Sequence, residues 1–599
     1  MAEISTLNGY KIKDKKAIRY YDTVADMVAD TTLKSDMQVR TSGYYQAYDG
    51  GNAEYKIIND NTLIADNGSI HTLSNGLKAK LIANTQVNIK QFGAMADGTT
   101  DDTTAIQNAL NKFKTVYIPE GIYKITTINL NDYNEIVGEN KWKAILYSDS
   151  GDYAIRSDKR YLTLKNFQIK SDVEFSGSQS DNIDVGSGTG GIILNYTNNQ
   201  TLNSYDTKIF VNDIIIDHCG GDGITIDGTV TGAHLTNIEV IVCGGTGYKI
   251  NSTDTKLLNC ISADCNDNGF DLIGSGSQVS NCKAFLCGHR NGNGYGFRIT
   301  GTYTSGSNIQ AEENYGIGIQ VNSDCSILSS VAIDGSGNLL KYGSKSLLRI
   351  AGNNNIINGF LSNRTAGGHS SSAINIQKGC NNKLDFIVRE LESMTRQYPD
   401  FPDMKYVEGL ALNPLNEIIL NRKKIDVAEM IDLFPDPENP DYVIYTKSPA
   451  TATSSEEDGI YELQMSNAST LNSTGFQGCA YQFELDVDTL KANPYLVIEV
   501  IGKCGDSSRL TDLAITGTVK NGSNYHAFSD ITQEIYNRSC SSEYADIFYL
   551  VDLSNTLNEL TQKVTLNIGI FKISDDLDDN SISKSIYIKS AKYSYFSEI

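Results

Sequence analysis

Asp217 and Glu239 are acidic side chains whose type and spacing could do chemistry together. Counted from Asp213 and Asn237, like positions of two successive repeats, Asp217 stands in the fourth place and Glu239 in the second. On neighbouring strands both would face outward, offset by one alternate position. About 4.8 Å between strands and about 6.8 Å along one put their Cα atoms about 8 Å apart. Glycosidic cleavage by two carboxyl groups needs one acid with a raised pKa and one ionised partner, and that separation would suit an inverting hydrolase. Solvated surface charge is the plainer account of the same two residues. Asp264, Asp267, Glu312 and Glu313 form a second acidic set near the loop Gly288-His289-Arg290-Asn291-Gly292-Asn293-Gly294-Tyr295. Phe285 and Tyr295 can stack on sugar rings, while His289, Arg290 and Arg298 can meet an anionic group. No metal or other cofactor is expected.

These residues can be neighbours only if the chain repeats. DIIIDHCGGDGITI (Asp213 to Ile226), NIEVIVCGGTGYKI (Asn237 to Ile250), NCISADCNDNGFDL (Asn259 to Leu272) and NCKAFLCGHRNGNGYGFRI (Asn281 to Ile299) align. Cys219, Cys243, Cys265 and Cys287 are separated by 24, 22 and 22 residues, and the leading Asp/Asn residues share those steps. Gly223, Gly247, Gly269 and Gly296 each precede an apolar pair. A period near 22 with short strands and glycine turns is the signature of a β-solenoid with coils stacked in register. The cysteines, and the column Ile214, Ile238, Cys260 and Cys282, should point inward as reduced apolar fillers. The Asp/Asn column should bond storey to storey at a turn. The loop after Cys287 stretches one repeat from 22 to 27 residues between glycines, and insertions in solenoids tend to mark the binding face.

The 599 residues are enough for several domains. A formal net charge of -22 without any Lys/Arg-rich run argues against a nucleic-acid partner. No run is long enough to cross a bilayer, and no charged-then-apolar start suggests a secretory leader, so membrane insertion is not expected. Proline is absent between Pro119 and Pro399, as central strands require. It returns at Pro399, Pro402, Pro414, Pro435, Pro437 and Pro440, marking an exit from the solenoid. Val427 to Phe434 is compatible with a short helix. Beyond it, alternating runs at Tyr481 to Val487, Tyr495 to Ile501, Leu513 to Val519, Ile547 to Val551, Val564 to Ile573 and Ser585 to Tyr595 predict an antiparallel sandwich.

The stretch Val87 to Ile125 opens the solenoid. An alternating apolar segment, Val87 to Phe92, breaks at a polar run through Asp101-Asp102 that should not pack as a strand. A helix then starts, capped by Asp101 or Asp102, with Ala105, Ile106, Ala109, Leu110 and Phe113 on one face. Val116 to Ile118 predicts a strand ended by Pro119-Glu120-Gly121. This order, with Phe92-Gly93-Ala94, Asp97-Gly98, Asp101-Asp102, Ala105-Ile106, Ala109 and Ile118-Pro119-Glu120-Gly121, resembles the opening of the pectate lyase superfamily parallel β-helix, a family widespread among bacteriophage tailspikes and tail depolymerases. The resemblance implies a mainly β chain: a right-handed parallel β-helix whose apolar open end the helix plugs, a small N-terminal α+β attachment region and a C-terminal antiparallel β-sandwich. The boundaries expected are 1–85, 86–400, a linker over 401–440, and 441–599.

Thr6-Leu7-Asn8-Gly9-Tyr10-Lys11-Ile12-Lys13-Asp14 resembles the start of tail proteins of phages and prophages. Gly43-Tyr44-Tyr45 with Asp49-Gly50-Gly51, and Asp66-Asn67-Gly68-Ser69, resemble the adaptor before the β-helix. The resemblance therefore implies a homotrimeric tailspike in the virion tail, assembled in the host cytoplasm and acting at the bacterial cell surface. Its partners would be a phage tail or baseplate protein and a bacterial surface polysaccharide that it binds and cleaves by hydrolysis. A non-catalytic receptor-binding tail protein and a polysaccharide lyase are the alternatives. Pectate lyase chemistry needs calcium-binding carboxylates and a basic residue that removes a proton next to a carboxylate. Asp271 between Lys249 and Arg298 on one ladder position could imitate that set, although a surface ion-pair ladder is the simpler reading.

Overall fold

The computed structural model describes residues 6–7, 10–11, 18–83, 85–148, 152–171, 190–196, 207–289, 294–335, 346–362, 372–377 and 381–388, and then shorter stretches: 405–409, 416–420, 423–424, 431–433, 442–447, 451–457, 460–466, 477–504, 513–527, 532–536, 545–553, 556–572 and 584–596. The chain divides into two compact units, one built mainly from residues 1–349 and the other mainly from 405–599.

In the first unit, strands Arg19–Tyr21, Gln38–Thr41, Ala53–Ile58, Ile70–Thr72 and Lys78–Leu81 form a five-stranded sheet beside the helix Val24–Ala29. The helix starts on a capping box, Thr23 and Asp26 each accepting a backbone N–H of the other. The Asp49 carboxylate gathers the N–H groups of Tyr44, Tyr45, Gln46 and Gly51, which folds the glycine-rich loop that the sequence singles out. Tyr45 Oη and Gln91 Nε2 then donate to the carbonyls of Gly93 and Asn52, tying this sheet to the start of the solenoid.

Gln86–Asn88 is the first solenoid strand, and Ile89–Phe92 is a 3₁₀ turn closed by Gly93 at φ 87°. The polar run does pair: Asp97–Asp101 lies parallel to Gly121–Ile125 with an irregular register. An edge strand can stay polar because only its backbone bonds the sheet. Helix Thr103–Lys112 follows, burying Ile106, Ala109 and Leu110. Asp101 Oδ1 accepts from Thr103 N–H, whereas the buried Asp102 turns back to Met95 N–H (2.7 Å) and Ala96 N–H (3.0 Å).

About ten coils stack beyond this plug. A typical coil has three short strands, here called the first, second and third walls, exemplified by His234–Thr236, Glu239–Cys243 and Tyr248–Ile250. Each pairs in parallel with its counterpart one storey on. The chain turns from the first to the second wall through a residue in the left-handed region: Asp213, Asn237, Asn259, Asn281 and Asn308 have φ of 51–55°. This is the Asp/Asn column expected from the repeat. Asn259 Nδ2 donates to Asn237 Oδ1, Asn281 to Asn259, and Asn308 to Asn281, at 3.0–3.1 Å. Asparagine is the residue that tolerates this φ and can also bond its neighbours.

The interior is stacked as predicted. Cys219, Cys243 and Cys265 are in register, Cys287 follows, and all four are buried, as are Ile214, Ile238, Cys260 and Cys282. These thiols are free, with Cys243 Sγ 2.8 Å from Cys265 Sγ. Asn314 ends the column, its amide bonded to Cys287 N–H and Ala284 C=O. The glycines before the third wall have a steric reason. A Cβ on Gly223, Gly247 or Gly269 would meet the next storey's glycine carbonyl oxygen at 2.7 Å. Tyr248, Phe270 and Phe297 form an inner aromatic stack, with centroids 4.5 Å apart and planes within 3°.

The second unit holds a sandwich of antiparallel sheets. One contains Thr451–Glu457, Ile460–Ser466, Lys584–Phe596, Tyr495–Cys504, Ala545–Asp552 and Thr532–Tyr536. The other contains Tyr442–Lys447, Gln477–Leu485, Thr561–Lys572, Leu513–Asn521 and Asn524–Ala527. Leu463, Tyr481, Phe483, Ile498, Val500, Leu566 and Ile568 fill the space between them. Ile431–Asp432, placed in a helix by its sequence, instead pairs with Tyr593 and Lys592 as a strand. The remainder of Val427 to Phe434 lies outside the described residues, save Leu433.

Candidate functional site

The second wall carries most of the acids singled out from the sequence. Glu239 pairs with Ile215, two residues before Asp217, so the expected offset is present. Each acid is already engaged. Asp217 Oδ1 is 2.5 Å from His218 Nδ1, and Glu239 Oε1 is 3.0 Å from Lys141 Nζ. Farther along, Glu312 lies between Phe285 and Asp334 in one outward column. Lys283 pairs with Glu312 and lies 5.2 Å over the Phe285 ring. Burial, with the Glu312 and Asp334 charges, raises the Glu313 pKa. Asp264 is 3.5 Å from Nε2 of His289, whose buried ring lies 4.1 Å from Tyr315. Asp267 sits in the turn to the third wall, and Tyr295 begins a strand of that wall. Arg290 lies outside the described residues.

Arg298 belongs to the third wall, and that wall has a different character. Thr225, Lys249, Asp271, Arg298 and Gln320 occupy one column on five successive storeys. Their strand neighbours, such as Ile224 and Ile226 or Phe270 and Leu272, fill the core, so strand alternation turns this column outward. Even so, Thr225 and Asp271 are 5 % exposed and Gln320 8 %. Burial raises the Asp271 pKa, with Arg298, Asn268 and Lys249 pulling the other way. Arg298 Nε is 3.1 Å from Asp271 Oδ1, but among the described residues the pair lacks hydrogen-bond alignment, leaving both atoms buried without a bonded partner. Ile319 N–H bonds Leu347 C=O, which brings Arg349 onto the following storey, its Nε also buried and unbonded.

Asp222 enters this column from the corner before Gly223. Its carboxylate accepts from Thr246 N–H (2.8 Å) and Thr225 Oγ1 (3.3 Å), 3.6 Å from Lys249 Nζ. Tyr153 Oη is 3.2 Å from Thr225 Oγ1, and burial raises the phenol's pKa. Buried polar atoms without partners cost stability and are uncommon, and together with perturbed titration they mark candidate functional sites. Thr225 and Asp271 are two storeys apart, about 9.6 Å. The Asp222 carboxylate, bonded to Thr225 Oγ1 and Thr246 N–H, leans from Thr225 toward the Lys249 storey, so Asp222 and Asp271 flank Lys249. The carboxyl groups of an inverting pair are roughly 6.5–9.5 Å apart. A divalent cation does not fit, because Lys249 and Arg298 stand where it would lie. Among the described residues no group of three or more His, Cys, Asp or Glu could hold a metal ion.

The sequence reading reached Arg298, Asp271 and Lys249 but not Asp222 or Tyr153. Asp222 had a signal, as an acid directly before a ladder glycine. Tyr153 had none, since it precedes the aligned repeats.

The family model for rhamnogalacturonase A/epimerase, pectate lyase-like, matches residues 86–286. The preneck appendage protein of Bacillus phage PZA is 26 % identical over 212 residues, 31 % of this chain and 24 % of that protein. The tail spike protein of Escherichia virus K5 is 31 % identical over 100 residues, 17 % of this chain and 16 % of that one. These matches thus span a quarter or less of the relatives' own length. Among solved structures, full-length tailspike protein 2 of an Escherichia coli O157:H7 bacteriophage aligns with a TM-score of 0.55 at 11 % identity, covering 97 % of this chain and 83 % of that one. Residues 86–286 are thus similar to the pectate lyase-like family, and the chain shares the parallel β-helix fold of a phage tailspike.

Proposed function

We propose that this protein is a tailspike of a phage or prophage virion, joined to the tail through its N-terminal region, and that its third wall binds a bacterial surface polysaccharide and cleaves it by hydrolysis. The observation that carries the catalytic half is the pairing of two unlike carboxyl groups on one wall. Asp271 is buried with a raised pKa, and Asp222 is held by a backbone N–H, a hydroxyl and an ammonium group. In this reading Asp271 donates a proton to the glycosidic oxygen as the bond to the anomeric carbon breaks. Asp222 takes a proton from the water that attacks that carbon. Lys249 and Arg298 orient the chain. Asp217, Glu239, Asp264, Asp267, Glu312, Glu313, Phe285, His289, Arg290 and Tyr295 are proposed as contacts for more remote sugars.

A lyase is the second reading, favoured by the two cations flanking Asp271 on its ladder. Incubation of the protein with host envelope polysaccharide separates the readings. Hydrolysis releases reducing ends without new ultraviolet absorbance, a lyase adds the absorbance of an unsaturated uronate, and a receptor-binding protein shows retention alone. Loss of reducing-end release in both Asp271→Asn and Asp222→Asn is expected. Full release in either variant overturns the third-wall assignment.

A further inference from the structure

We infer that Trp142 is a stacking plate for a sugar ring on the second wall, held in place by Lys141 and separate from the Asp222–Asp271 pair. The inference rests on the glycan-binding reading above and adds a contact to it. Trp142 is the chain's single tryptophan, and it is 61 % exposed. Single exposed aromatic residues are ordinary on a protein surface. What sets Trp142 apart is that a bonded turn and a cation hold its ring in place.

The turn bearing it is firmly set. Asn140 Oδ1 accepts from Trp142 N–H at 2.8 Å, and the Asn140 carbonyl accepts from Lys143 and Ala144 N–H. Lys143 pairs with Glu120 at 2.8 Å. Lys141 reaches along the axis. Ile145 pairs with Gln168, Gln168 with Ile215, and Ile215 with Glu239, so the Lys141–Glu239 ion pair bridges three storeys, about 14 Å. Ile215 faces outward between them and is buried, consistent with a strap passing over it. The Lys141 ammonium, 3.0 Å from Glu239, also lies 5.1 Å from the centre of the indole ring. One cation therefore fixes the tryptophan beside the second wall while most of the ring stays in solvent.

The surroundings select the occupant. The wall below the strap carries Gln168, Lys170, Asp217, His218 and Glu239, a dense set of hydrogen-bonding groups. The core of a protein interface is depleted of charge. An aromatic face among donors and acceptors instead matches a sugar, whose C–H face meets the electron-rich ring while its hydroxyls bond the neighbours.

One tryptophan makes the test direct, because tryptophan emission then comes from this site alone. In the free full-length protein the emission should be red-shifted and quenched by acrylamide, and a blue-shifted, shielded signal would overturn the inference. The Asp271→Asn protein, used to hold uncleaved polymer, is then titrated with purified host envelope polysaccharide, with calorimetry recording total binding. The emission should shift and become shielded on the same isotherm. Trp142→Ala should weaken polymer binding roughly three- to tenfold, and Trp142→Phe, which keeps a ring, by less. Calorimetric binding with unchanged emission and no effect of Trp142→Ala defeats the plate but leaves the tailspike reading standing. No binding by any variant defeats both.

Discussion

Arg298 Nε lies 3.1 Å from Asp271 Oδ1 on the adjoining storey, yet burial still holds the Asp271 carboxyl above its ordinary range. Two opposing influences thus meet on one acid. A group that must deliver a proton near neutrality needs a pKa raised toward the working pH, and the arginine limits how far it rises. Arg298→Gln should move the alkaline limb of the cleavage profile to higher pH, since a cation that favours the carboxylate is gone. Asp271→Asn should lower cleavage by roughly 10²- to 10⁴-fold, the usual worth of a general acid. Reducing-end assays across pH check both, and an unmoved alkaline limb in Arg298→Gln would show that Asp271 does not set it.

The asparagine corner separates backbone strain from hydrogen bonding at one site. Asn259 has φ 55°, donates to Asn237 and accepts from Asn281. Asn259→Gly keeps the backbone conformation and loses the side-chain bonds, an expected cost of about 1–2 kcal/mol. Asn259→Leu also incurs the left-handed penalty, a further roughly 1–2 kcal/mol. Chemical denaturation of the two variants should therefore rank glycine above leucine.

The thiol column should be chemically silent until the coils open. Burial pushes the Cys219 thiol up to about 12, and Cys265 and Cys287 are likewise raised well above the ordinary thiol value. Thiolate is the reactive form. Iodoacetamide at pH 8 should leave Cys219, Cys243, Cys265 and Cys287 unmodified in the native protein and label them after denaturation. Peptide mass spectrometry reads the result, and rapid native labelling would contradict the buried ladder.

His71 supplies a pH dependence for the N-terminal sheet. Its ring is buried against Tyr55 and Tyr44, and burial pushes its pKa down to about 4 from the ordinary 6.5, with Asp66 opposing. The unfolded chain therefore takes up the proton first as pH falls. The stabilisation is complete above about pH 6.5 and drains away toward pH 4, by about 3 kcal/mol. Hydrogen-exchange protection factors of the strands Ala53–Ile58 and Ile70–Thr72, taken relative to the intrinsic exchange rate at each pH, should fall over that window. His71→Phe should flatten the dependence.

The repeat was legible because a stacked coil presents the same positions to the same environment on every storey. Cys219 to Cys287 and Asp213 to Asn281 could be placed by counting alone. Strand alternation likewise put Asp217 and Glu239 outward on the second wall. What counting could not supply was which outward face is sheltered from water. Asp271 and Asp217 both alternate outward, but Asp271 is buried beside the unbonded Arg298 Nε, and shelter on that wall comes partly from contacts remote in sequence, such as Tyr153 on Thr225, 72 positions apart. The Lys141–Glu239 pair was hidden for the same reason, since it joins residues 98 positions apart. The polar run Asp97–Asp101 reads as a break but forms a strand, because side-chain patterning says little about a strand held by backbone bonds on one edge.

The face-to-face rings of Tyr248, Phe270 and Phe297 leave no room for a storey to slip, because sliding one level would break the pile of planes as well as the glycine contacts beside it. Length in this spindle is consequently quantised. Excising Asn259 through Ser280, one full revolution, would seat Asn281 on Asn237 and Phe297 on Tyr248 and so reproduce the existing interlock, whereas removing eleven residues would set every later side chain against the wrong partner. A lineage built this way lengthens or shortens by whole revolutions, while novelty between them accumulates only at the corners.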